Sequence, residues 1–266
     1  MKALDRRRFL KGFGGLAALL ALPGGRAQGY GAPGKGAGEA IARSYPEDFA
    51  GLVVPQGKPF AARPVGQTPR GTSVLIRIRE AQPYHYHRTH TEVAFCLDGE
   101  GYAEVAGERI PLAPGRGVLI PPATTHGFFG RMDLLSRFSP KLAGDIVFVK
   151  GGAGPAEGRP LAFRYQAAPV PSGKRFSAKP LANQALATAV ALHIDDEQPL
   201  HYHRSKDEAV YVLEGYGGVE VEGRLFLAKP GRMVLIPATA RHRLAGRFKA
   251  LSVFTPALAG DVVFLP

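Results

Sequence analysis

The 266-residue sequence contains a single cysteine and no tryptophan. Cys96 therefore cannot close an intramolecular disulfide, and a disulfide scaffold is excluded. Beyond the N-terminus there is no run of lysine or arginine and no basic motif interleaved with aromatics, which argues against nucleic acid as a partner. Sustained helical periodicity is also missing after the first 27 residues, which excludes a helical bundle. The formal charge of +12 overstates the basicity of the folded part. Residues 1–27 hold Lys2, Arg6, Arg7, Arg8, Lys11 and Arg26 against Asp5, and without them the charge is +7. These charges are scattered, a pattern that suits attraction for a small anion rather than a polyanion.

The N-terminus reads as an address rather than as fold. Three arginines are followed by Phe9, Leu10 and Lys11, then by an apolar stretch from Phe13 to Leu22 and the small residues Gly25 and Ala27. A basic start, a short apolar run and a small-residue exit describe a secretory signal over residues 1–27, too short to span as a mature helix. The alternative is a basic amphipathic or membrane-anchoring segment. The run R-R-x-F-L-K resembles the twin-arginine variety, which implies the twin-arginine export machinery as a partner and a periplasmic or extracellular destination. A lone cysteine fits folding in a reducing compartment before export. Residues 28–50 are expected to form a flexible arm, rich in glycine and alanine in its first part.

The rest of the chain is written twice. P-Y-H-Y-H-R from Pro83 matches P-L-H-Y-H-R from Pro199, and P-G-R-G-V-L-I-P from Pro114 matches P-G-R-M-V-L-I-P from Pro230. F-S-P-K-L-A-G-D-I-V-F from Phe138 matches F-T-P-A-L-A-G-D-V-V-F from Phe254. Every pair is offset by 116 residues, without insertion or deletion. A period that long is a duplicated domain, not a solenoid repeat. The expected organisation is an N-terminal barrel over 51–150, a Gly- and Pro-rich linker over 151–160 and a C-terminal barrel over 161–266. Within each copy, T-S-V-L-I-R-I-R alternates apolar and polar residues, G-V-L-I-P stops at proline, and turn residues recur between such runs, so the fold class is all-β.

Eight residues carry the chemistry. His85, His87, Glu92 and His126 recur as His201, His203, Glu208 and His242 in the same register. Residues i and i+2 of a strand share a face, so each H-x-H pair can aim two imidazoles at one point. The glutamate must come from the start of the next strand, and His126 and His242 are expected from across the barrel. Three imidazoles and one carboxylate leave two open positions around an octahedral divalent ion, suited to substrate, water or dioxygen. His90 aligns with Lys206 and His193 with Arg77, so neither is expected to be a ligand.

H-Y-H-x4-E-x6-G (His85 to Gly99, His201 to Gly215) and G-x5-P-x4-H (Gly115 to His126, Gly231 to His242) resemble the two motifs of the cupin superfamily. Ala123 and Thr239 stand where that pattern usually has glycine. The resemblance covers roughly residues 50 to 266. It implies two tandem jelly-roll barrels with a metal inside each. The superfamily includes dioxygenases, decarboxylases, isomerases and binding proteins, so fold alone does not choose a reaction. At the position three residues before the first histidine, oxalate decarboxylases carry an arginine; here stand Gln82 and Gln198, candidate substrate contacts or loop hydrogen bonds. Glutamine can donate to an anionic or carbonyl oxygen without arginine's charge, which counts against oxalate decarboxylase itself. Arg77 or Arg79 is a candidate for the missing charge in the first copy.

Tyr86 and Tyr202 are expected on the opposite face, Arg88 and Arg204 at the bend, and Cys96 as a small buried side chain. No further Asp, Glu or His stands out as a repeated general acid or base. Oxygen and imidazole ligands favour Mn(II) or Fe(II), one per barrel, acquired if the chain folds before export. The expected function is an exported metal-dependent oxidoreductase of dioxygenase type, or a decarboxylase, acting on a small and anionic carboxylate, enol or diol. The alternative is a non-catalytic exported protein that binds metal, a sugar or a small acid. The sequence does not define the oligomeric state, though edge strands of such barrels commonly pair and a homo-oligomer is open to it.

Overall fold

A computed structural model describes residues 39–266; the expected export signal and residues 28–38 of the expected arm lie outside the described residues. The first half comprises β1 (Ile41–Ser44), α1 (Tyr45–Ala50), β2 (Phe60–Thr68), β3 (Gly71–Ile78), β4 (Ala81–His87), β5 (Thr91–Val105), β6 (Glu108–Leu112), β7 (Arg116–Ile120), β8 (His126–Ser139) and β9 (Ile146–Phe148). The second comprises β10 (Leu161–Arg164), β11 (Phe176–Gln184), β12 (Ala187–Ile194), β13 (His201–His203), β14 (Asp207–Val221), β15 (Arg224–Ala228), β16 (Arg232–Ile236), β17 (His242–Thr255) and β18 (Val262–Phe264). They form two nine-stranded antiparallel sheets, the tandem jelly-roll barrels expected of the sequence.

Two long strands organise each barrel. Through its start β5 pairs with β7, and through its end with β6. β8 pairs along almost all of β5 while reaching β4 at one end and β3 at the other. The bend falls at an irregularity between Cys96 and Asp98. Gly99, which closes the first motif, follows at φ 77°, and a Cβ there would collide with the Arg131 carbonyl oxygen. Gly215 meets the same constraint from Arg247. The hairpin into β6 turns on Ala106 and Gly107, both at positive φ as a two-residue antiparallel turn requires. The Ala106 N–H then reaches Thr125 O at 2.8 Å, tying the hairpin to the loop that delivers His126.

β3 was expected to alternate apolar and polar residues, yet it is buried on both faces. Val74 and Ile76 fill the barrel interior, while Leu75 points into a third core shared with the other barrel. That shared core joins Phe95, Leu119 and Leu135 to Tyr211, Leu235 and Leu251. Polar pairs stitch its margin: Ser73 and Tyr211 hydroxyls lie 2.9 Å apart, and Arg137, fully buried, donates to Thr68 at 2.6 Å and Thr255 at 3.2 Å.

The leading strands are exchanged. β1, inside the expected arm, pairs with β16 of the second barrel. β10, at the start of the expected C-terminal barrel, pairs with β7 of the first. Residues 151–160 are not a free linker: Thr125 donates to Pro155 O at 2.7 Å and Glu157 to Ala123 O at 3.1 Å. They therefore pack on the loop before His126.

Ala123 (φ 48°) and Thr239 (φ 67°) occupy the left-handed region that makes glycine usual there. Their N–H groups donate to His87 O and His203 O at 2.7 Å, binding each turn to the strand that carries two candidate ligands. Replacing either with glycine is expected to raise stability by about 0.5–1 kcal/mol in urea unfolding, more for the β-branched Thr239. A fall in the midpoint for both variants would contradict this account of the turn.

Candidate metal centres

Each quartet comes together inside its barrel. The candidate ligand atoms of His85, His87, Glu92 and His126 all lie within 4.8 Å of one another, as do those of His201, His203, Glu208 and His242, and all eight residues are buried. Strand pairing explains how. His85 and His87 project from the end of β4, and Glu92 is the second residue of β5. His126 opens β8 and stands directly opposite His85 in the β4–β8 ladder, their rings 4.2 Å apart. It arrives from the neighbouring strand rather than from across the barrel as expected; in the second copy His242 is likewise opposite His201.

Backbone carbonyls orient the rings. His85 Nδ1 bonds Pro83 O and His126 Nδ1 bonds Thr124 O, each at 2.8 Å. The second barrel repeats this with His201 to Pro199 O and His242 to Ala240 O, again at 2.8 Å. With Nδ1 as the donor, Nε2 is left as the lone-pair atom that a metal takes. Burial, reinforced by the neighbouring His126, pulls His85 from its ordinary 6.5 down to about 3; burial and His242 pull His201 down to about 4. Both imidazoles therefore stay neutral. Burial would raise Glu92 and Glu208, but contacts with their neighbouring histidines hold both carboxylates well below the usual range. Glu92 Oε2 lies 3.3 Å from His126 Nε2, and its other oxygen accepts from Ser136 Oγ at 2.6 Å. Glu208 has the same arrangement with His242 at 3.1 Å and Ser252 at 2.6 Å.

These groups suit a divalent cation. His85 Nε2 and both nitrogens of His87 and His203 are buried with no hydrogen-bond partner. A buried unpaired polar atom costs about 1–3 kcal/mol, and an ion would relieve the Nε2 atoms of His85 and His87 in the first cluster and that of His203 in the second, while the Nδ1 atoms of His87 and His203 face Asp145 and Asp261.

The structure adds a carboxylate that sequence reasoning overlooked. Asp145, just before β9, places Oδ1 3.5 Å from His87 Nδ1 and Oδ2 2.6 Å from His90 Nδ1. Asp261 repeats the first contact with His203 at 3.6 Å, but its other neighbour is Lys206 Nζ at 3.6 Å. Against the raising effect of burial, the Thr89 N–H and hydroxyl and His90 hold Asp145 at about 2. The signal was available: both aspartates stand in the repeated L-A-G-D segment. His90 thus belongs beside the site without joining the ligand cluster, and His193 bonds Ala168 O at 3.2 Å.

Gln82 and Gln198 are buried, Gln82 directly opposite Phe128 inside the barrel, with Oε1 unpartnered. Arg77 does not supply charge to the site. Its guanidinium bonds Asp133 at 2.8 and 2.7 Å and the Phe49 and Leu52 carbonyls at 3.0 and 2.8 Å. The Arg79 side chain is exposed. Cys96 is buried in the barrel core, its thiol pushed up to about 12 by burial and the nearby Asp98.

Two outcomes are expected. Removing the hydroxyl in Ser136→Ala or the charge in Asp145→Asn should weaken metal binding at the first site about 10–100-fold, read by competition with a chelating dye. Metal-free protein should lose stability as pH falls below 6.5, because the unfolded chain takes up protons that folded His85 and His201 refuse. The slope approaches about 1.4 kcal/mol per pH unit for each imidazole, and Glu92 adds to the loss once pH falls below its ordinary range. Stability that stays level between pH 7 and 5 would contradict the buried neutral imidazoles.

Comparisons with known proteins agree with this architecture. The family model described as Cupin domain matches residues 74–133 and again residues 190–254. An arginine-to-alanine variant of Bacillus subtilis oxalate decarboxylase superposes with TM-score 0.63 at 15% identity, covering 85% of this chain and 79% of that one. A tryptophan-to-tyrosine variant of salicylate 1,2-dioxygenase from Pseudoaminobacter salicylatoxidans, in complex with gentisate, superposes with TM-score 0.62 at 15% identity, covering 82% of each chain. Another structure of the Bacillus subtilis oxalate decarboxylase, determined in work on its Mn(II) centres, gives TM-score 0.62 at 15% identity over 85% of this chain and 79% of that one. At such identity the likeness shows fold alone. No curated protein matches the sequence significantly. The Cupin domain model thus matches once in each barrel, and each barrel encloses one cluster of three histidines and a glutamate.

Proposed function

We propose that this protein is a bicupin and an exported metalloenzyme, an oxidoreductase of dioxygenase type or a decarboxylase, acting on a small carboxylate, enol or diol. The observation that carries the reading is the pair of buried quartets, in which the Nε2 atoms of His85, His87 and His203 have no hydrogen-bond partner. A purely structural role would not require both copies to keep every ligand type. The structural neighbours named for oxalate decarboxylase, with Mn(II) centres, and for salicylate dioxygenase bound to gentisate, support both the metal class and small oxygen-rich substrates.

His85, His87, Glu92 and His126 would hold one ion and His201, His203, Glu208 and His242 the other, with Mn(II) or Fe(II) favoured by the oxygen and nitrogen donors. Such an ion supplies Lewis acidity and a place for dioxygen. The protein's part is positional. Pro83 and Thr124 carbonyls fix two ring tautomers, Ser136 holds the glutamate, and Asp145 faces the outer nitrogen of His87. Gln82, buried with its amide oxygen unpartnered, offers an acceptor to a substrate hydroxyl or, rotated, a donor to its oxygen.

Export by the twin-arginine route belongs to the same reading, supported by Arg6, Arg7 and the lone buried cysteine. Folding first in the cytoplasm would let the barrels take Mn(II) or Fe(II) before meeting copper and zinc, which otherwise win by affinity order. Self-association is supported by Tyr216, Leu225 and Leu227, exposed on the second barrel where the first has Glu100, Arg109 and Pro111.

Protein purified from the native exported fraction should contain manganese or iron. A screen of small carboxylates, enols and diols should reveal oxygen uptake or carbon dioxide release that His85→Ala and His201→Ala together abolish. Stoichiometric copper or zinc would defeat the metal assignment. Tight, slowly exchanging metal without turnover would favour the non-catalytic binding protein instead.

A further inference from the structure

β9 and β18 are only three residues long, yet each sets an aromatic ring beside a metal cluster. β9 lies antiparallel to β4 with Phe148 opposite His85 and Ile146 opposite His87. β18 lies on β13 with Phe264 opposite His201 and Val262 opposite His203. Residues directly opposed across an antiparallel ladder project from the same side of the sheet. Phe148 and Phe264 therefore stand on the side of the candidate ligands, whereas Tyr86 and its partner Val147 point the other way. In both barrels the phenyl centroid lies 5.8 Å from the first histidine's ring.

Both rings nevertheless remain open to solvent, Phe148 at 56% and Phe264 at 60% exposure. Two large apolar side chains held at the same place beside two metal clusters form a rim, not a core. Nor are the short strands loose. Asp145 accepts from Thr89 N–H and hydroxyl at 2.8 and 2.9 Å, and Asp261 from Ser205 N–H and hydroxyl at 3.0 Å. Beyond the rings, Val149 N–H donates to Tyr84 O at 2.9 Å and Leu265 N–H to Leu200 O at 2.8 Å. Anchored on both sides, each ring is positioned before anything binds, so little ordering entropy opposes a contact with it.

From this geometry we infer that Phe148 and Phe264 determine specificity, by taking the flat apolar face of an aromatic or cyclic enol substrate whose oxygen substituents reach the metal. The inference rests on the metalloenzyme reading and narrows its substrate class. A small, fully hydrated dianion such as oxalate gains nothing from an exposed phenyl ring. Gln82 and Gln198, neutral where such a dianion is best held by a guanidinium, agree with this. An arene stacked offset or edge-on against the ring gains contact without extra charge.

Calorimetric titration of the metal-loaded full chain with benzoate and with oxalate tests the assignment. Benzoate is expected to bind more tightly than oxalate. The double variant F148A/F264A should weaken benzoate about threefold to tenfold while leaving oxalate and metal content unchanged. Because both rings are exposed, truncation is expected to spare the fold, and the retained metal reports that directly. Tighter binding of oxalate than benzoate, or benzoate affinity indifferent to the variants, overturns the rim while leaving the metalloenzyme reading intact. Binding of neither probe also overturns the rim, while the metalloenzyme reading is decided separately by the screen for oxygen uptake and carbon dioxide release.

Discussion

Three imidazoles and a carboxylate, gathered in a dry interior, are unfavourable company until a cation joins them. Solvation is lost, the Nε2 atoms of His85, His87 and His203 have no hydrogen-bond partner, and burial keeps His85 and His201 from protonating to satisfy Glu92 or Glu208. The barrels sustain that arrangement through the backbone. His85 and His126 are neighbours because β4 and β8 pair, and their rings are oriented by carbonyls two residues upstream. Bent β5 brings Glu92 to the same point, and Asp145 returns from the end of the domain to face His87. The closing strand that follows Asp145 also carries Phe148, directly opposite His85.

The two halves repeat their chemistry but not their surroundings. Asp145 is paired with the imidazole of His90 and Asp261 with the ammonium of Lys206, so the aspartates that face the candidate ligands His87 and His203 have different partners. Between the barrels, Arg137, Ser73 and Tyr211 have no counterparts; their equivalents are Val253, Ala189 and Phe95. The exchange of leading strands is reciprocal: Ile41 pairs with Leu235, and Leu161 with Leu119, positions equivalent in the two copies. Each barrel is therefore completed by a strand from the segment preceding the other, which makes the pair a single structural unit.

Duplication is why so much could be read in advance. An H-x-H pair alone recurs by chance, but two quartets in one register define both the fold and the candidate ligands. The expected jelly rolls are the architecture found. The same comparison contained Asp145 and Asp261, which were passed over because each lies 53 residues beyond its glutamate, with nothing local to link it to the site. Only the fold returns that segment to the histidines. The strand exchange was hidden for a different reason. I-A-R-S-Y at 41–45 and L-A-F-R-Y at 161–165 are offset by 120 residues, outside the register shared by the rest. Four residues are too few to show alternation. The apolar β3 was misjudged because its outer face is covered by the other barrel, a neighbour that local pattern cannot reveal.

Metal stoichiometry resolved by site tests the central claim most directly. Elemental analysis of the purified full chain should give two divalent ions per molecule. Glu92→Gln combined with His126→Ala should leave one, as should Glu208→Gln with His242→Ala, and the four changes together should leave none. A wild-type chain that stays metal-free in the presence of manganese, iron, cobalt and zinc, or binding that survives all four substitutions, would contradict the account.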